Sequence, residues 1–173
     1  MQDNWLIKLD LRLGDIPTAF TLLTRLPLPV DHAKTGERAA KAAWAYPLVG
    51  AVAGLFAGVI AFTLSSVGVL SDIAAAIAIG ALMLFTGALH EDGLSDCADG
   101  LGGGKTVKHR LEIMKDSRIG AFGAAALCAA ILARWSGYNA LITVDWVWAF
   151  IAVGVASRLP MVLIMYIMPL ARP

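Results

Sequence analysis

Three aspartates, Asp92, Asp96 and Asp99, stand at spacings i, i+4 and i+7. On a helix that register sets all three carboxylates on one face. Like charges stacked in this way destabilise a helix unless something neutralises them. A divalent cation does so, and an oxygen-only donor set suits Mg²⁺ better than zinc. The bland alternative is a solvated acidic face at the end of a helix. His90 precedes the aspartates and Gly100, Gly102, Gly103 and Gly104 follow them. Those glycines either form a flexible turn or let backbone N–H groups approach phosphate oxygens. His90 has three readings by itself: a general base, a hydrogen-bond donor to phosphate, or an interfacial histidine.

A second cluster runs from Arg110 to Arg118 and ends in Ile119-Gly120. Glu112 and Asp116 are i, i+4 with Lys115 and Arg118 beside them, which a salt-bridged helix face alone would explain. Topology adds weight, because the chain leaves one long apolar run near His90 and enters the next near Ile119. Both clusters therefore lie in one layer at a membrane surface. Carboxylates for a metal then meet Arg110, Lys115 and Arg118 as cations for a diphosphate, with Gly102 and Gly103 offering N–H groups. That combination serves phosphoryl transfer, in which metal and basic groups spread the charge of the transferring group.

Lipid is the solvent that the rest of the chain implies. Of 173 residues 58% are apolar and 16% charged, against about a quarter charged in soluble proteins. Mean hydropathy is +0.72. A net charge of +1 gives no bulk attraction to a polyanion, so no nucleic-acid partner is expected. Cys97 and Cys128 have no metal-ligand or disulfide spacing and read as reduced thiols. Residues 1 to 15 mix acidic and basic groups with no continuous apolar core, unlike a cleavable leader.

The expected fold is all-α, a polytopic membrane bundle treated as one domain over residues 1–173. Residues 1–45 form a surface segment with an interfacial helix that Asp15 caps, with Pro17 in its first turn and Ile16, Ala19, Phe20 and Leu23 on one face. Four spans are expected, at 46–70, 73–89, 119–133 and 146–170, each near the roughly 20 residues that cross a bilayer core. The first and last pairs make two helical hairpins around a polar loop at 90–118 that carries the site. Trp135, Tyr138, Trp146 and Trp148 flank the last gap as an aromatic belt would. Six basic residues precede the first span and five lie in 90–118, which places both segments and the C-terminus in the cytoplasm. Gly50, Gly54 and Gly58 mark a close helix contact, with a ligand groove as the lesser reading. Arg158 stands 12 residues from either end of the fourth span, where a charge is costly, and Pro160 is expected to break the helix beside it. Arg158 is expected to contact phosphate or to pair with the aspartates.

The string from Gly87 to Gly100, joined to Arg110 through Gly120, closely resembles the cobalamin synthase family, which are membrane-embedded adenosylcobinamide-GDP ribazoletransferases. Thr24-Arg25-Leu26-Pro27-Leu28-Pro29, Tyr46-Pro47-Leu48-Val49-Gly50 and Ser157-Arg158 extend the resemblance over nearly the whole chain. It implies that a ribose hydroxyl of α-ribazole, or of its 5′-phosphate, attacks the cobinamide-linked phosphorus of adenosylcobinamide-GDP. GMP leaves, Mg²⁺ is required, and the enzyme sits in the inner membrane. The motif maps onto His90, Asp92, Asp96 and Asp99, and the second onto Lys115, Asp116, Ser117 and Gly120. His90, Asp92 and Asp99 are then catalytic, Asp92, Asp96, Asp99 and Asp116 ligate metal, and Arg25, Gly102, Gly103, Arg110, Lys115, Ser117, Arg118 and Arg158 bind substrate. Glu91 falls at a variable position of that pattern and Cys97 stands where threonine is common in the family, so neither receives a role. The family also continues through membrane helices beyond the Ser-Arg span, which this chain is expected to lack, and a homo-oligomer is compatible with it. Two other readings are a CDP-alcohol phosphotransferase acting on lipid, disfavoured because no arginine follows in Asp92-Gly93-Leu94-Ser95-Asp96, and a transporter subunit using Asp92, Asp96, Asp99 and Arg158 as an ion relay.

Overall fold

The computed structural model describes residues 11–29, 38–144 and 146–168, and every regular element among them is helical. A surface helix α1 (Asp15–Leu23) comes first, and a 3-10 turn (Lys41–Ala45) runs into α2 (Tyr46–Ser66). Then come α3 (Ser71–Thr86), α4 (Leu89–Gly103), the short α5 (Val107–Ile113), α6 (Ala121–Ile142), α7 (Trp146–Ala156) and α8 (Leu159–Ile167). Three helical stretches, Lys41–Ser66, Ala121–Ile142 and Trp148–Ile167, are long and apolar enough to cross a membrane, and α3 with α4 forms a bent pair that passes the same test together. The protein is a polytopic membrane protein.

Packing is inverted relative to a soluble domain. On α2 the buried stripe is small, with Gly50, Ala53, Gly54, Ala57, Gly58 and Ala61 inside, while Leu48, Val52, Leu55, Phe56, Val59 and Phe62 are exposed. Lipid removes any drive to bury the large side chains, so close backbone approach decides the interface. A Cβ on Gly50 would strike the Gly154 carbonyl of α7, and one on Gly54 would strike that of Phe150. The two helices therefore cross antiparallel, with backbones touching. Alanines of α2 and α3, together with Ile79, Leu82, Tyr138 and Phe150, make one core cluster. A second joins α1, the 3-10 turn and the start of α2 to α8.

Several expected boundaries move. The first span ends at Ser66, and Gly68 turns the chain with φ +89°. The third extends from the expected Ala133 to Ile142, so Arg134 lies inside α6 rather than in a connection. A hydropathy reading stops at such a charge, whereas the fold neutralises it with Glu91 at 2.6 Å. Tyr138 likewise leaves the expected aromatic belt for the core, edge-on to Phe150 with centroids 4.8 Å apart. Trp135 donates its indole N–H to the Asp72 carbonyl at 2.7 Å. The Trp146 side chain and the expected end of the fourth span near Leu170 lie outside the described residues. The break at Ser157-Arg158 falls where Pro160 placed it.

Asp15 does not cap α1, whose N-cap is Gly14. Its buried carboxylate accepts hydrogen bonds from Arg38 Nε at 2.8 Å, Trp44 Nε1 at 3.1 Å and the Arg12 backbone N–H at 3.0 Å. The Arg38 bond, foremost, holds this carboxyl at a pKa of about 2. One charge cluster thereby ties α1 to the approach of α2.

Candidate active site

The site depends on a bend. α3 closes with a Schellman motif, the Ala88 N–H bonding the Met83 carbonyl at 2.8 Å and the Gly87 N–H that of Leu84 at 3.3 Å. Gly87 (φ +69°) and Ala88 (φ +56°) are both left-handed, the alanine at a steric cost. As a result α4 leaves α3 at 89°. The expected polar loop at 90–118 is thus largely helical, consisting of α4, a turn and α5.

On α4 the three aspartates do not share one environment. Asp92 is exposed, Asp96 half-buried and Asp99 buried. Asp99 accepts the Gly120 N–H at Oδ2 and the Gly123 N–H at Oδ1, each at 2.8 Å, and so caps the N-terminus of α6. Those N–H groups have no carbonyl partner within their own helix. A side chain at Gly120 or Gly123 would occupy the Asp99 carboxylate, which explains both glycines by close approach.

Asp92 and Asp96 instead face a cavity of about 230 Å³, lined also by Ser95, Met114, Lys115, Asp116, Ser117, Arg118 and Ile119. The two sequence clusters do meet there. Arg118 grips Asp116 through three hydrogen bonds of 2.6 to 3.1 Å. That guanidinium holds the Asp116 carboxyl below the usual carboxylate range. An adjoining open groove shares Asp116, Arg118 and Ile119 and reaches Asp99 and Gly103.

Other expected contacts are arranged differently. Gly102 and Gly103 form the last turn of α4, where N–H groups are spent inside the helix and the dipole is negative. They are no phosphate cradle in this arrangement: a Cβ on Gly102 would meet the Phe122 ring. Arg110 donates from Nε to the Gly104 carbonyl at 2.9 Å, closing the end of α4. Arg25 lies against Gly87 and, with its backbone N–H on the Phe85 carbonyl at 2.8 Å, braces the bend. Arg158 does not pair with the aspartates. It is buried at the break between α7 and α8, where Nη1 donates to Ser157 Oγ at 2.7 Å.

The opposite face of α4 lines a second cavity of about 280 Å³, which holds His90, Glu91, Arg134, Tyr138, Ser157 and Arg158. Glu91, at a variable position of the motif, carries no role in the sequence reading, and no local spacing links it to Arg134, 43 residues away. The available signal was the cost of a charge within an apolar helix.

Mg²⁺ is tested by the donor chemistry. Among the described residues no three His, Cys, Asp or Glu side chains converge as a ready-made ligand cage. Mg²⁺ keeps several waters and takes one or two protein carboxylates, so such a cage is not needed. Asp92, Asp96 and Asp116 with the hydroxyls of Ser95 and Ser117 around one cavity are hard oxygen donors of the right kind.

Fold and site together define a membrane-embedded protein with carboxylates and cations gathered in one polar cavity beside its helices. The chain matches the Cobalamin-5-phosphate synthase family over residues 15–173, and it belongs to that family. A relative from Mesorhizobium japonicum, named adenosylcobinamide-GDP ribazoletransferase, is 42% identical over 92% of this chain and 62% of its own length. Proteins of the same name from Bradyrhizobium diazoefficiens and Brucella ovis are 41% and 42% identical, over 93% and 100% of this chain and 62% and 66% of theirs. The chain thus spans a little under two thirds of these curated relatives. No solved structure matches it significantly.

Proposed function

We propose that this chain carries the transfer site of an adenosylcobinamide-GDP ribazoletransferase. A ribose hydroxyl of α-ribazole, or of its 5′-phosphate, displaces GMP from the cobinamide-linked phosphorus. The observation that carries the reading is the single cavity lined by both motifs, Asp92 and Asp96 from one and Lys115, Asp116 and Ser117 from the other. Family membership supplies the reaction class.

Asp92, Asp96 and Asp116 would hold Mg²⁺, which when bound would neutralise diphosphate charge. Lys115 is exposed at the cavity and placed to meet a phosphate oxygen. Arg118 is exchangeable between Asp116 and an incoming anion, because its side chain is largely exposed. Asp99 holds the start of α6 against α4 and so keeps the second motif beside the first. His90 is placed on the other cavity and is left out of the transfer step.

The same reading puts the cavity on the cytoplasmic side of the inner membrane. With Arg134 inside α6, residues 67–70 and 143–145 between the spans include no basic residue, and the positive bias lies wholly on the cavity side. GMP release from adenosylcobinamide-GDP and α-ribazole, by the membrane-reconstituted chain with Mg²⁺, tests the proposal. Asp92→Asn is expected to lower the rate by at least about 100-fold, a loss of about 2.7 kcal/mol in transition-state stabilisation. No GMP release by the chain, or full activity in the variant, would overturn it.

A further inference from the structure

Three buried polar residues of α4, Glu91, Ser95 and Asp99, stand at i, i+4 and i+8 and form one stripe along the helix. The stripe lies against α6, which runs antiparallel to it. Asp99 meets the Gly120 and Gly123 N–H groups, and a side chain on Gly123 would also strike Ser95 Oγ. About three turns further along α6, Arg134 Nη1 donates to Glu91 Oε1 at 2.6 Å. Asp99 fixes where the end of α4 lies, and a second anchor is needed to fix how the helix is turned about its own axis. Glu91 supplies that anchor, about 12 Å away along the helix. Asp92 and Asp96 each follow the stripe by one residue, about 100° round the helix. The anchors that hold the stripe on α6 therefore also aim these two carboxylates into the cavity of the second motif.

We infer that Glu91 is a positioning residue: its bond to Arg134 sets the rotation of α4 and so aims Asp92 and Asp96 at Lys115, Asp116 and Ser117. The effect on rate rests on the transfer reading, whereas the effect on geometry does not. Glu91 is buried, and an apolar pair at these two positions would join the helices about as firmly as a buried ion pair. What an apolar pair lacks is direction, which a hydrogen bond imposes through its angle. The tolerance is small. A turn of α4 by about 10° moves a carboxylate at the roughly 5 to 6 Å side-chain radius by about 1 Å, and a misplacement of about 1 Å costs on the order of 100-fold in rate.

Two variants of the full chain in lipid nanodiscs separate aim from stability. Glu91→Leu with Arg134→Leu replaces the pair by apolar contact, while Glu91→Gln keeps a carbonyl acceptor for Arg134 and leaves that cation unmatched. Unfolding by SDS in mixed micelles is expected to place the double variant near the parent and Glu91→Gln below it. GMP release is expected to rank them the other way. In the double variant kcat should fall at least about tenfold with KM little changed, and Glu91→Gln should retain more. Geometry is read without the reaction, as the distance between spin labels on the exposed Cys97 of α4 and Cys128 of α6 by electron paramagnetic resonance. The double variant should shift or broaden that distance and Glu91→Gln should keep it. An unchanged distance or a parental kcat in the double variant, loss of its fold, or activity that follows stability across the two variants would each overturn the inference. If Glu91→Gln does not fold, the double variant decides by the same two readouts. A parent that releases no GMP, with the distance shifted in the double variant, refutes the transfer reading alone. A parent that releases GMP, with the distance kept in the double variant, refutes this inference alone.

Discussion

Asp99→Asn separates a structural carboxylate from a metal ligand. In the fold both Asp99 oxygens are engaged at 2.8 Å by the Gly120 and Gly123 N–H groups, and the residue is buried. Asparagine keeps one carbonyl oxygen and turns an NH₂ donor towards the other N–H. One hydrogen bond to a charged group is lost, about 1.5 to 3 kcal/mol, and the helix N-terminus loses a negative partner, about 0.5 to 1 kcal/mol. The expected destabilisation is therefore about 2 to 4 kcal/mol. Unfolding by SDS in mixed micelles, followed by fluorescence of the five tryptophans, measures it with EDTA present. Addition of Mg²⁺ should stabilise variant and parent alike, since Asp92, Asp96 and Asp116 are retained. A variant within about 0.5 kcal/mol of the parent in EDTA, the scatter of a surface change, but deaf to Mg²⁺ would refute the capping account and return Asp99 to the metal.

Gly87→Val should cost at least about 1 to 2 kcal/mol, because a branched side chain is forced into the left-handed region against Arg25. The same unfolding assay reads it, and GMP release should fall with it. Gly154→Val should separate α2 from α7 and leave little folded protein after extraction, which size-exclusion chromatography would show. The Asp15 pKa of about 2 lies below the ordinary aspartate value of 3.8. Its pairing thus contributes about 2 kcal/mol above roughly pH 4, lost as pH falls towards 2. Arg38→Met should flatten that slope of stability against pH. A cysteine at Gly103, exposed on α4, should react with an impermeant thiol reagent only once the cytoplasmic face is opened. Labelling in intact cells would invert the topology.

Composition and local spacing determined the solvent, the helical class, the close glycine contact of α2 and the two motifs that share a cavity. These follow from neighbours along the chain, since lipid demands long uncharged runs and a four-residue repeat selects one helix face. Pro160 marked the break at Arg158 for the same local reason.

Tertiary structure alone decided how the aspartates divide their work. Their register placed them on one helix, but the 89° turn at Gly87 and Ala88 aims that helix along α6, so Asp99 meets two N–H groups while Asp92 and Asp96 stay at the cavity. Glycines legible as a phosphate loop proved to be the end of that helix, sized for Phe122 and Arg110. Glu91 and Arg134 became a pair only because the bend carries one beside the other across 43 residues. A buried charge shows in sequence as a cost, whereas the partner that offsets it depends on the path of the chain.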